Sequence, residues 1–177
     1  MTAADLELAY AQMSQGDAGL RIILQGVSPE QWAWKPHPET WSLSEITEHL
    51  AIVEQGILLR LRTAPADGFD KTAGKDRLPA MLINRQVKFP APARTQPRGK
   101  FVTPADCLAQ LSLARAATLS WAQDQDTRLM QHVMPHPAFG ELHGGQWLQM
   151  LAGHTFRHLE QMRELIAHDG YPGPVPS

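Results

Sequence analysis

The sequence predicts an all-α protein built as a four-helix bundle, on three observations. Four stretches of about 20 residues carry apolar side chains at helical spacing, strand signals are almost absent, and one connection is far longer than the others. The chain has 177 residues, 43% hydrophobic and 19% charged. That length fits one domain, expected over residues 1–170 with a tail at 171–177, and can bury about two-thirds of the unfolded chain's surface. No run of about 18 apolar residues is present, which argues against a membrane protein. The first residues, Thr2-Ala3-Ala4-Asp5-Leu6-Glu7, lack a basic then apolar leader, so the expected compartment is the cytoplasm.

The first helix is expected over residues 3–25, where Leu6, Tyr10, Met13, Leu20, Ile23 and Leu24 recur at spacings of three, four and seven before Gly26. A short turn at Ser28-Pro29-Glu30-Gln31-Trp32, with proline at the first helical position, leads into the second long helix. Ser42 and Glu45 form a capping box there, with Trp41 placed to staple onto Ile46. That helix is expected from Leu43 to Thr63, with Ile46, Leu50, Val53, Ile57 and Leu61 facing the core. The third opens at Thr103-Pro104 and carries Leu108, Leu111, Ala114 or Arg115, Thr118, Leu119 and Trp121. The fourth starts near Gly145, after the Pro- and Gly-rich stretch 132–140, and stops at Gly170.

Residues 65–103 read as a long basic, proline-rich crossover between the second and third helices, with one short helix around Arg77 to Arg85. Short connections elsewhere favour antiparallel neighbours, whereas this one can climb the whole bundle, so the expected order is up-down-down-up. Lys71, Lys75, Arg77, Arg85, Lys88, Arg94, Arg98 and Lys100 outweigh Asp67, Asp70 and Asp76, which makes the stretch +5 within a chain of formal charge −2. It is either a solvated loop balancing the acidic remainder or an attractor for an anionic thiol or acidic substrate. The near-neutral total, and the lack of aromatics in the stretch beyond Phe69, Phe89 and Phe101, argue against nucleic acid.

The chemistry is expected from histidine. With Cys107 as the single cysteine, neither an intrachain disulfide nor a multi-cysteine metal site can form. Cys107 itself is expected to be packed. His154 and His158 stand one turn apart on the stripe of Trp147, Leu151, Met162 and Leu165, so both should look into the bundle. His49 lies between Ile46 and Val53 on the inward arc of the second helix. Such buried imidazoles either find hydrogen-bond partners or share an ion, and three of them suit Zn, Ni or Fe with a coordination position left open. Glu45, Glu48, Glu160 and Gln161 are near enough in sequence to take a histidine's second N–H, although the capping box already accounts for Glu45.

The remaining candidates carry structural readings. Arg157 is an anchor for a carboxylate or one half of an ion pair. His168 falls in the last turn of the fourth helix, where a cation suits the helix dipole. His37, His132, His136 and His143 fall in loops, with His136 shaping a loop near the mouth of the site. Trp32, Trp34 and Trp41 form a hydrophobic plug rather than a shelf for a ligand.

The string Trp41-Ser42-Leu43-Ser44-Glu45-Ile46-Thr47-Glu48-His49-Leu50 resembles the signature of the DinB-like superfamily, a tryptophan and helix cap followed by the first metal histidine. The strings His136-Pro137-Ala138-Phe139-Gly140, Gln146-Trp147-Leu148 and Ala152-Gly153-His154-Thr155-Phe156-Arg157-His158 resemble that family's last helix and the loop before it. The resemblance implies an up-down-down-up bundle, often a homodimer, with a divalent metal held by His49, His154 and His158. It further implies a metal-dependent enzyme on a small-molecule substrate, either a thiol-dependent S-transferase or isomerase working with a low-molecular-weight thiol, or a hydrolase. A non-catalytic stress-response or dimerising bundle with a structural metal is the alternative.

Overall fold

The computed structural model describes residues 3–66, 85–86 and 90–173. Four long helices run through the described residues: α1 (Ala3–Leu24), α3 (Leu43–Thr63), α4 (Pro104–Gln125) and α5 (Gly144–Ile166), with a short α2 (Pro29–Ala33) between the first two. The short helix expected around Arg77 to Arg85 falls almost wholly outside the described residues. Three of the helices start with reciprocal caps. Ser28 and Gln31 close the first turn of α2, Ser42 and Glu45 that of α3, and His143 and Gln146 that of α5. Thr103 caps α4 ahead of Pro104. α1 ends at Leu24, two residues before Gly26, whose φ of 70° is the left-handed conformation that glycine adopts without a Cβ penalty.

One expectation needs correction. The Pro- and Gly-rich stretch before α5 is not merely a loop: β1 (Val133–His136) and β2 (Gly140–His143) pair antiparallel, Val133 opposite His143 and His136 opposite Gly140. The hairpin forms because it has a core to pack on. Val133, Met134 and Leu142 are buried, the Trp147 indole donates to the Met134 carbonyl at 3.2 Å, and the Val133 amide donates to the Pro65 carbonyl. His143 is therefore not a free loop residue, since its Nδ1 accepts from the Gln146 amide as the cap of α5. At the other end, α5 stops at Ile166, so His168 lies beyond the last turn, its Nδ1 accepting from the Gly170 amide.

The helix directions follow from which residues meet. Gly16 and Gly19 of α1 lie against Thr155 and Leu159 of α5 in the same order, so these two run in parallel. Their approach is close: a Cβ on Gly16 would stand 2.8 Å from Thr155 Cγ2. Glu48 and Glu54 of α3 face Lys100 and Arg115 in the same order, so α3 and α4 also run in parallel. α3 and α5 are opposed, because His49 meets His154 while Arg60 reaches Pro135 below the start of α5.

Arg115 sits at the centre. It is 2% exposed, and its guanidinium donates to both oxygens of Glu54 on α3 (2.9 and 3.0 Å), to the Met13 carbonyl (2.7 Å) and Asp17 (3.1 Å) on α1, and to Thr155 on α5 (3.1 Å). This network divides the core. On one side Met13, Ile57, Leu61, Ala122, Trp147 and Leu151 pack together, and on the other Leu20, Ile46, Leu50, Leu111, Leu159 and Met162. Of the two residues the sequence offered for that position, Ala114 and Arg115, both are buried, but Arg115 carries the polar link.

Arg115→Ala would leave the Glu54 carboxylate buried without its counter-ion, and a loss of about 3–5 kcal/mol is expected in urea denaturation. Replacing both partners, as Arg115→Met with Glu54→Leu, should recover much of that loss; a double variant no more stable than the single one would contradict the assignment.

Candidate metal centre

His49, His154 and His158 converge between α3 and α5. Each follows from its helix: His49 stands one turn past Glu45 on the inward arc of α3, and His154 and His158 are one turn apart on the apolar stripe of α5. The Nε2 atom of His154 lies 3.2 Å from that of His49 and 3.1 Å from that of His158, and one ring nitrogen from each of the three lies within 4.8 Å of the others. Two nitrogens bound to one ion at about 2.1 Å would stand roughly 3.0 Å apart at a right angle and about 3.4 Å apart at the tetrahedral angle. The two separations from His154, 3.2 and 3.1 Å, lie between those values.

The far side of each outer ring decides what faces inward. His49 Nδ1 donates to the Thr95 carbonyl at 2.7 Å, and a carbonyl can only accept, so the Nε2 of His49 presents a lone pair. His158 Nδ1 donates to Gln161 Oε1 at 2.8 Å, with the same result for its Nε2. One hydrogen on His154 Nε2 could satisfy only one of those two lone pairs. The donor set is thus short of a positive centre, and a cation among the three nitrogens is the group that fits it.

Burial keeps all three rings neutral. It pushes the His49 pKa below the usual histidine range against the pull of the Thr95 hydrogen bond. His154 is held well below that range by burial and then by its two histidine neighbours, and His158 is lowered to about 3 by burial and His49.

The partners differ from those the sequence offered. Glu45 caps α3 and pairs with Lys35 at 3.1 Å, rather than holding a histidine. Glu48 is fully buried and accepts from the Gly99 and Lys100 amides at 2.8 and 3.2 Å, and Glu160 pairs with Arg163. Only Gln161 of the four engages a ligand candidate. Thr95 was not foreseen, because the end of the long connection brings it to His49 from 46 residues away. Trp32, Trp34 and Trp41 pack in or on one core cluster, as the expected plug, and the Trp41 ring in addition lies over the site, 4.8 Å from the His49 ring and 6.3 Å from that of His158.

A cleft of about 1210 Å³ opens onto the histidines, walled by Trp41 and Val53 and, on the hairpin side, by His136, Phe139 and Trp147. Arg157 also lines it, which agrees with an anchor for an anion as well as with an ion pair. Cys107 lies outside the lining, fully buried, its thiol pushed up to about 12 by burial and by Glu48 and Asp106. Among the described residues, no helix is long and apolar enough to cross a membrane.

The uncharacterized protein YuaE of Bacillus subtilis (strain 168) is 29% identical over 145 residues, covering 80% of this chain and 87% of YuaE. YfiT from Bacillus subtilis, described as a probable metal-dependent hydrolase with an unusual four-helix bundle topology, is similar in structure with a TM-score of 0.68. That likeness covers 97% of this chain and 91% of YfiT at 13% identity, and it carries the fold alone. The DinB superfamily model matches residues 12–162, a span that holds all three histidines and most of every long helix, and the chain belongs to the DinB superfamily.

Proposed function

We propose that the chain is a metal-dependent enzyme acting on a small organic molecule, with His49, His154 and His158 holding one divalent ion, Zn, Ni or Fe, and water or an external small-molecule thiol as the nucleophile. The observation that carries this reading is the donor set, three neutral imidazoles turned on one point with two of their Nε2 lone pairs fixed by hydrogen bonds on the far side. An ion bound there supplies Lewis-acid activation of a water or thiol through the position that three protein ligands leave open.

The chain's own side chains do the remainder. Thr95 and Gln161 hold two rings in the tautomer that can ligate, and Trp41 shields one flank from solvent. Cys107, buried and with its thiol held protonated at neutral pH, cannot serve as nucleophile, so thiol chemistry here needs a thiol from outside. The open cleft favours a reactive centre over a structural one, because a purely structural site closes around its ion.

Untagged protein should contain about one divalent metal per chain by elemental analysis, and His154→Ala should lose it. Chelation should lower the melting temperature, and turnover of an ester or of a thiol and electrophile pair should vanish in His49→Ala. Metal-free protein with unchanged stability and no metal uptake would overturn the proposal.

The metal-free protein should also be acid-sensitive. In the unfolded chain each of these histidines titrates near 6.5, whereas in the fold their pKa values are depressed, that of His158 to about 3. Below about pH 6.5 the unfolded chain binds protons that the native state does not. Stability present above that pH is therefore lost as the pH falls toward 3, at up to about 1.4 kcal/mol per pH unit for each histidine. Urea denaturation of chelated protein at pH 7.5, 6 and 5 should show this slope, and His158→Gln should flatten it; equal slopes would refute the linkage.

A further inference from the structure

On the hairpin side of the cleft, His136 is placed for a task that neither its loop-shaping role nor the three histidines require. The Ala138 amide donates to His136 Nδ1 at 3.1 Å, so that nitrogen carries a lone pair and the hydrogen of the neutral ring sits on Nε2. The ring is held by aromatic neighbours, stacked on Phe139 with centroids 4.6 Å apart and tilted against Trp147 at 5.3 Å. It is neutral across the working range, since burial and then Arg60 lower its pKa to about 4. Its Nε2–H is thus a permanent donor, and the ring lines the cleft that the three histidines share.

Arg60 stands beside it. The guanidinium makes one long hydrogen bond, Nη2 to the Pro135 carbonyl at 3.4 Å, and takes part in no ion pair among the described residues. It too lines the cleft. An arginine carries five donors in a planar fork suited to a carboxylate or phosphate, so most of its hydrogen-bonding capacity here remains uncommitted. A fixed neutral N–H, a cation with no carboxylate partner among the described residues and an aromatic wall thus meet at one end of a cleft that leads to a candidate reactive centre.

We propose that Arg60 and His136 form an oxyanion subsite, in which the carboxylate of a small organic substrate is held by the guanidinium and the His136 Nε2–H while its apolar body lies on Phe139 and Trp147. The substrate class is therefore an organic acid with an aromatic or aliphatic body, whose remaining functional group extends toward His49, His154 and His158. This assignment rests on the proposed reading of those three residues as the reactive centre, yet the binding it describes needs no metal.

The test uses phenylacetate and its neutral isostere phenylacetamide, titrated into the full-length protein as purified and after chelation, with tryptophan fluorescence as the readout. Phenylacetate should bind about tenfold more tightly than the amide in both preparations, the difference expected of a charge-assisted hydrogen bond. Arg60→Gln should remove most of that preference. His136→Phe, which keeps an aromatic ring on Phe139, should weaken phenylacetate several-fold, and His136→Gln should restore part of the loss. Melting curves of each variant check that the fold is retained. Two-bond proton–nitrogen NMR should show His136 protonated on Nε2 between pH 5 and 8, whether or not the variants fold. Equal affinity for acid and amide, an undiminished preference in Arg60→Gln, or a hydrogen on His136 Nδ1 would overturn the subsite. Binding of phenylacetate that disappears on chelation would overturn it as well, placing the carboxylate on the metal instead. A protein that takes up no metal but still prefers the acid would fail the metal reading alone.

Discussion

A single guanidinium ties the bundle together. Arg115 belongs to α4 and reaches side chains or backbone on each of the other three long helices, so the spacing of all four is set at one level of the core. A buried ion pair is a poor source of net stability, because both charges lose their water. What it supplies is geometry. Apolar side chains tolerate a helix sliding or rotating slightly, whereas five directional hydrogen bonds from one planar group do not. Glu54 lies little more than one turn beyond His49, and Thr155 follows His154 directly, so the residues that Arg115 fixes on α3 and α5 neighbour those whose imidazoles meet. The close seat of Gly16 against Thr155 adds to the constraint, since the same threonine is held from two sides.

Much of the fold was legible because its helices announce themselves locally. Periodicity set the inward faces, and the capping box of Ser42 and Glu45 set the start of α3 to the residue, because caps involve partners only three positions apart. The hairpin before α5 was not legible for the opposite reason. Its strands are four residues long, one contains Pro135, and they are held by Trp147 and by Pro65 just past the end of α3, neither of which a local pattern can weigh. Histidine is also an uncommon helix cap, so His143 carried no signal for the start of α5. Glu54 and Arg115 were hidden in another way. Glu54 carried no inward signal and Arg115 only shared one with Ala114, and only their meeting across 61 positions makes burial of the two charges tolerable.

The site divides along the same line. His154 and His158 share a helix face by spacing alone, and His49 falls on the inward arc of a helix whose register the cap determines, so all three could be named from sequence. The groups that orient them could not all be, because a backbone carbonyl such as that of Thr95 has no side-chain signature. Trp41 does more than the sequence suggested. Its place before the helix cap predicts packing on the core, and the same position also carries the ring over His49. His136 was visible as part of a short string, but its role depends on which nitrogen bears the hydrogen, and that is decided by the amide of Ala138.

Two consecutive residues of α3 grip the returning chain, Glu48 through the amides of Gly99 and Lys100 and His49 through the carbonyl of Thr95. The return of the crossover is therefore moored to the helix that bears the first histidine, independently of the residues upstream. Loop-closure entropy rises only slowly with chain length, so the placement of Thr95 beside His49 depends more on these bonds than on the length of chain that precedes it. Pro90, Ala91 and Pro92, just ahead of that mooring, form part of the cleft wall. On the proposed reading of the site, the trio of imidazoles can be kept while those wall residues are exchanged, which would fit one bundle to different small molecules.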